Sequence, residues 1–86
     1  MTDVAPDWSH PFDDPIPLPD GRVLRTLADA GFYVAALSEA EQQRIEWRAA
    51  AEILLKAAEG RSVVTLSHAA MLQALLLDQQ RRRVEP

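Results

Sequence analysis

The apolar positions of this chain change period along its length, and each period predicts a different element. From residue 66 to 83, LSHAAMLQALLLDQQRRR, apolar residues occur nearly all the way round a helix. At 100° per residue Met71, Leu72, Leu75 and Leu76 share one broad face, and Leu66, Ala70 and Leu77 share another. A helix covered on one side by a small core shows a single apolar stripe, so this one exceeds what a thin core needs. From Ile45 to Glu59 the pattern is simpler. Trp47, Ala50, Ala51, Leu54, Ala57 and Ala58 form one face, and Arg48, Glu52 and Lys56 lie opposite at i, i+4 spacing, which supports a helix.

Caps and turns delimit the remaining elements. Ser38 to Glu41 fits the Ser-x-x-Glu capping box, so a helix is predicted over 39–59, with weakly apolar first turns that form a separate short turn before Arg44. Gly60 suits the left-handed residue that ends such a helix. A first helix is predicted over 27–37, with Thr26 as N-cap, Asp29 three residues on, and Leu27, Ala30, Val34 and Leu37 on one face. Gly31 inside it costs about 1 kcal/mol relative to alanine and is read as a place of close packing, under Phe32 or Tyr33. The segment SVVTL at 62–66 is β-branched, but the preferred reading is a last helix over 65–82 with no third strand. In PIPLPDGRVLRT the Asp20-Gly21 step marks a tight turn, so residues 15–26 are predicted to form a β-hairpin whose proline-rich strand lies at an edge.

The predicted architecture is α+β. An irregular aromatic arm (1–14) precedes one domain (15–86), in which one hairpin packs on three helices. The arm contains Pro6 and Pro11, yet Trp8, His10 and Phe12 alternate within it, and large aromatics are scarce in flexible tails. Trp8 and Phe12 are therefore expected to dock, on their own core or on a partner. The core is expected to contain Leu27, Ala30, Val34, Leu37, Trp47, Ala51, Leu54, Ala58 and part of 71–77.

Composition narrows the chemistry. At 86 residues the chain is one domain that buries roughly 60–65% of its unfolded surface. With 0 cysteines, disulfides and thiolate metal sites are excluded. No apolar run reaches membrane-spanning length, and the N-terminus lacks a signal-peptide pattern; no membrane association is expected, and the cytoplasm is the expected compartment. The net charge of −4 comes from the leading segment, where Asp3, Asp7, Asp13, Asp14 and Asp20 have no basic residue among them. The remainder is close to neutral.

No catalytic arrangement is apparent, and no cofactor is expected. His10 with Asp13 and Asp14 has donor types suited to a metal, but Pro11 and an irregular backbone leave their geometry undefined. Adjacent Ser67 and His68 project about 100° apart on a helix, which does not aim the imidazole at the hydroxyl. The glycines are scattered and make no phosphate loop. Arg81, Arg82 and Arg83 fit helix termination, where cations favour the negative end. Their alternative role is a nucleic-acid contact, although a recognition helix reads bases from its N-terminal residues and these arginines sit at the other end.

The block HPFDDPIPLPDGRVLRTLADAGFYVAAL followed by EWRAAAEILLKAAEG resembles a group of short hypothetical proteins of rhizobia and related alphaproteobacteria. The matching residues are Trp8 to Pro15, Pro19 to Arg22, and Glu46-Trp47, and the likeness covers most of 8–75. That group has no assigned activity, so the resemblance implies no catalytic or ligand-binding residue. Beyond about Leu76 the chain departs from the pattern.

The functional expectation is a non-enzymatic interaction or regulatory protein that forms a homodimer, or binds a protein partner, through its last helix. The candidate interface residues are Leu66, Ala70, Leu76, Leu77, Trp8 and Phe12. The alternative is a nucleic-acid-binding accessory factor using Arg81, Arg82 and Arg83.

Overall fold

The computed structural model describes residues 6–84, and side chains through Arg81. Two strands, β1 (Pro11–Pro17) and β2 (Val23–Thr26), are followed by α1 (Leu27–Ala35), α2 (Glu39–Gln42), α3 (Ile45–Ala58) and α4 (Val64–Val84). The class is α+β, as predicted. There are four helices among the described residues rather than three.

The hairpin closes at Asp20-Gly21. Gly21 takes φ 94°, Leu18 N–H donates to the Arg22 carbonyl at 2.8 Å, and the Asp20 carboxylate accepts from the Arg22 amide and Nε. Those hydrogen bonds hold the Asp20 carboxyl below its ordinary range. The first strand begins at Pro11, so residues 11–14 of the expected irregular arm belong to the sheet. The pairing is antiparallel, with Pro11 opposite Thr26, Ile16 opposite Leu24 and Pro17 opposite Val23. Five steps along β1 thus answer two along β2. Pro15 cannot donate to the ladder, and the surplus is accommodated as a wide bulge in which Asp13 and Asp14 face solvent.

The segment before β1 packs on its own chain. Asp7 N–H donates to the Ala58 carbonyl at 2.7 Å, Ala28 N–H to the Trp8 carbonyl at 2.8 Å, and Leu27 N–H to the His10 carbonyl at 3.0 Å. The ring of Trp8, not Phe32 or Tyr33, lies over Gly31; a Cβ there would sit 3.2 Å from a Trp8 ring carbon. Close packing accounts for the glycine, but by a residue 23 positions upstream rather than by its helical neighbours.

The capping boxes form as read. Thr26 caps α1 with Asp29, and Ser38 caps a helix with Glu41. The second box starts the single turn of α2, the separate short turn expected before Arg44. Residues 39–44, EAEQQR, contain no large apolar side chain, so packing gives this stretch nothing to continue along, and Arg44 is extended (ψ 143°) before α3. At the far end of α3, Gly60 is left-handed (φ 78°). Arg61 N–H reaches the Lys56 carbonyl and Gly60 N–H the Ala57 carbonyl, which is a Schellman ending.

The core lies where α3 meets α4, with α1 and the hairpin closing its other sides. It comprises Phe12, Ile16, Leu18, Leu24, Leu27, Ala30, Val34, Trp47, Ala50, Leu54, Ala57, Ala58, Met71, Ala74 and Leu75. Ala51, expected inside, is exposed at the edge of the α3 face, and Leu37 is only partly buried. Among the described residues, no helix is long and apolar enough to cross a membrane.

Candidate interaction surface

Helix α4 presents two different sides. Ser67, Met71, Ala74, Leu75 and Asp78 are buried, a row at spacings of 4, 3, 1 and 3 that defines the core-facing stripe. The Ser67 hydroxyl lies 3.4 Å from the Ile53 carbonyl, so this polar side chain inside the stripe has an acceptor. The opposite side is apolar but uncovered: Leu66 is 53% exposed, Leu72 43%, Leu76 55% and Leu77 38%. Between Val63 and Leu77 there is no Asp, Glu, Lys or Arg, so nothing charged interrupts these leucines. Ala69 is exposed among them and Ala70 is half-buried.

The surface continues onto α3. Ile45 is 82% exposed, and with Ala49, Ile53, Ala70 and Leu77 it lines a groove between the two helices. Ile45 escaped the sequence reading because it lies beside the Trp47 face in sequence. Its helical angle, about 200° from Trp47, was the available signal. Of the face formed by Met71, Leu72, Leu75 and Leu76, only Met71 and Leu75 are buried, and Leu72 and Leu76 project past its edge.

The six expected interface residues separate. Leu66, Leu76 and Leu77 stand on the uncovered face, and Ala70 forms part of the groove floor. Phe12 does not belong with them. It is 5% exposed and packs edge-on against His68, with ring centroids 5.8 Å apart at 65°; as a β1 residue pointing under the sheet it is core, unavailable to a partner. Trp8 is partly buried over Gly31 on the α1–α3 side, away from the exposed leucines. The aromatic segment therefore closes the domain at α1 and leaves Leu66 and Leu77 uncovered.

The arginines also separate. The Arg81 guanidinium donates to the Glu46 carboxylate at 2.6 Å, and this contact holds the Glu46 carboxyl below its ordinary range. Arg44 stands 3.9 Å from the buried Asp78 beside them. Arg81 thus links α4 to α3, and the expected cluster of three retains Arg82 and Arg83 in the last turn of α4. Among the described residues, no group of three or more His, Cys, Asp or Glu is arranged to hold a metal ion. The small cleft that brings His68 near Asp13 and Asp14 is completed by Val64 and Thr65. No family model matches this chain, nor does any curated protein or solved structure.

Proposed function

We propose that this chain is a non-enzymatic interaction protein that self-associates through the outer face of α4. One observation carries the reading. Leu66, Leu72, Leu76 and Leu77 are exposed together on a stretch of helix with no charged residue from Val63 to Leu77. Contiguous apolar surface of this kind marks interaction sites, whereas the solvent face of α3 shows the ordinary alternative, with Glu52 and Lys56 paired at 3.3 Å. A second copy is the simplest occupant, because a two-fold interface uses the same patch on both chains. Pairing also supplies cover that a thin single-chain core lacks.

Light scattering at micromolar concentration tests the reading. The expected result is a dimer that dissociates on Leu76→Glu or Leu77→Glu, both of which sit on the surface and leave the core intact. A monomer whose mass is unchanged by either substitution overturns it.

A further inference from the structure

Trp8 and Trp47 wall a cleft of about 410 Å³ between α1 and α3, on the side away from the exposed leucines. The buried side chains of Val34, Trp47 and Leu54 form its floor, and the small residues Gly31, Ala35 and Ala51 leave it open. Ala35 and Ala51 are exposed, so apolar surface continues to the rim. The volume lies within the range of small-molecule sites, which are mostly apolar with a few polar groups that fix orientation. We propose that this cleft binds a small aryl carboxylate, its ring beside Trp8 and its carboxylate at Arg48.

Two donors select the anionic head. Trp47 is wholly buried, and its indole Nε1 has no hydrogen-bond partner among the described residues. An indole N–H only donates, so what it lacks is an acceptor. Arg48, the next residue on α3, is exposed and lines the same cleft. Glu52, which stands four residues on from it, is paired instead with Lys56 at 3.3 Å. Arg48 forms no ion pair among the described residues, and its planar guanidinium matches the two oxygens of a carboxylate. Gln42 also reaches the cleft, but its Nε2 donates to the carbonyl oxygens of Val34, Ala35 and Leu37. Among the described residues, no Asp or Glu lines the cleft to repel an anion. The two indoles favour a ring as the apolar body, because aromatic pairs gain from offset and edge contacts beyond their buried area.

The chain has 2 tryptophans, so a proton–nitrogen correlation spectrum separates their indole N–H signals, which Trp8→Phe assigns. The probe is hydrocinnamate, titrated into the full chain to about 10 mM, since so small a ligand binds in about the millimolar range. The expected result is a saturable shift of the Trp47 indole signal. Arg48→Gln, and separately the uncharged hydrocinnamyl alcohol as probe, should each weaken binding about tenfold. Butyrate, which keeps the carboxylate and lacks the ring, should bind at least about tenfold more weakly than hydrocinnamate. Ala51→Leu changes an exposed position to another good helix former. It should fill the cleft and abolish the shift while far-ultraviolet circular dichroism stays unchanged. Absence of a saturable shift overturns the site, as does binding that Arg48→Gln or a folded Ala51→Leu leaves undiminished. A shift confined to Trp8 places the ligand outside the cleft and also overturns it. Butyrate binding as tightly as hydrocinnamate overturns the aryl body. The site involves no residue of α4, so its test stands apart from the oligomeric state.

Discussion

Arg81 and Glu46 join the last turns of α4 to the first turn of α3 through a 2.6 Å charge-assisted hydrogen bond spanning 35 positions of sequence. The Glu46 side chain is 13% exposed and that of Arg81 31%, so water screens the pair only in part. Arg81 Nη1 is buried with no hydrogen-bond partner among the described residues, which adds a desolvation cost to the guanidinium. The pair therefore matters more for what its disruption leaves behind than for its own net strength. Arg81→Met removes the orphaned nitrogen but leaves the Glu46 carboxylate, the less exposed partner, without its guanidinium. Glu46→Ala leaves a half-buried cation with no carboxylate. Thermal unfolding should show each single substitution as destabilising by about 1–3 kcal/mol, and Arg81→Met combined with Glu46→Leu, which strands neither charge, as milder than either.

The same pair sets a pH dependence. The Arg81 hydrogen bond lowers the Glu46 carboxyl below its ordinary range, so the unfolded chain binds the proton more readily than the folded one. The stabilisation is present in full above the ordinary glutamate value of about 4.3. It is lost as pH falls below that value and through the depressed folded one. Chemical denaturation between pH 6 and 3 should therefore show wild-type stability falling more steeply than that of Glu46→Gln in the acid range. Equal slopes for the two proteins would assign acid sensitivity to other carboxylates.

Trp8 over Gly31 makes a second testable contact. An alanine Cβ at 31 would lie 3.2 Å from the Trp8 ring, tight enough that the ring must give by a few tenths of an ångström. Against this, alanine gains about 1 kcal/mol of helix propensity, since α1 is regular at this position. In a Trp8→Ala background, Gly31→Ala should stabilise the protein by about that amount. In the wild-type background the gain should be smaller or reversed. A double-mutant cycle measures the difference, and Trp8 fluorescence reports whether the arm has lifted.

How far these features were legible in the sequence depended on the range of the interaction. Thr26 with Asp29, Ser38 with Glu41, the Asp20-Gly21 turn and Gly60 are written within a few residues, and each forms as its local chemistry dictates. Phe12 docks on its own core, one of the two places expected, and what removes it from the candidate interface is a contact 56 positions away at His68, where β1 crosses α4. Pro11 reads as a breaker and hid the first half of β1, residues 11–14, whereas the proline-rich stretch from Pro15 is read as the edge strand that it is. Arg81 read as a terminal cation because nothing near it in sequence indicates Glu46. The exposed leucines of α4 were visible as an excess of apolar surface, but which of them stay uncovered depended on the side that α3 and β1 occupy.

Gln42 is the case where a residue of a minor element stabilises its neighbour. Its Nε2 lies 3.1 Å from each of the carbonyl oxygens of Val34, Ala35 and Leu37 at and just beyond the end of α1, of which the Val34 oxygen also accepts from the Leu37 N–H. Gln42→Leu removes the donor at nearly constant volume and should cost about 1–2 kcal/mol. Gln42→Glu should cost more at neutral pH, because a carboxylate would then face three carbonyl oxygens. It should recover toward the wild type near pH 4, where the protonated acid is again a donor. Urea denaturation of both variants at pH 7 and pH 4 distinguishes loss of the hydrogen bonds from a simple packing change.

The uncovered leucines lead to a prediction about stability as well as association. If folded chains pair and unfolded chains do not, pairing shifts the folding equilibrium by mass action, and the melting temperature rises with protein concentration. For a domain of this size about 1 kcal/mol of linkage moves the midpoint by about 4–8 °C, so a hundredfold concentration range is enough to reveal it. Leu66→Gln combined with Leu77→Gln should flatten that dependence. Because both side chains are exposed in the single chain, at 53% and 38%, the variant's melting temperature at high dilution should stay within a few degrees of the wild type. A wild-type midpoint independent of concentration would mean that the α4 leucines contribute nothing to stability beyond the single chain. A variant that melts far lower even when dilute would mean that they support the chain's own core.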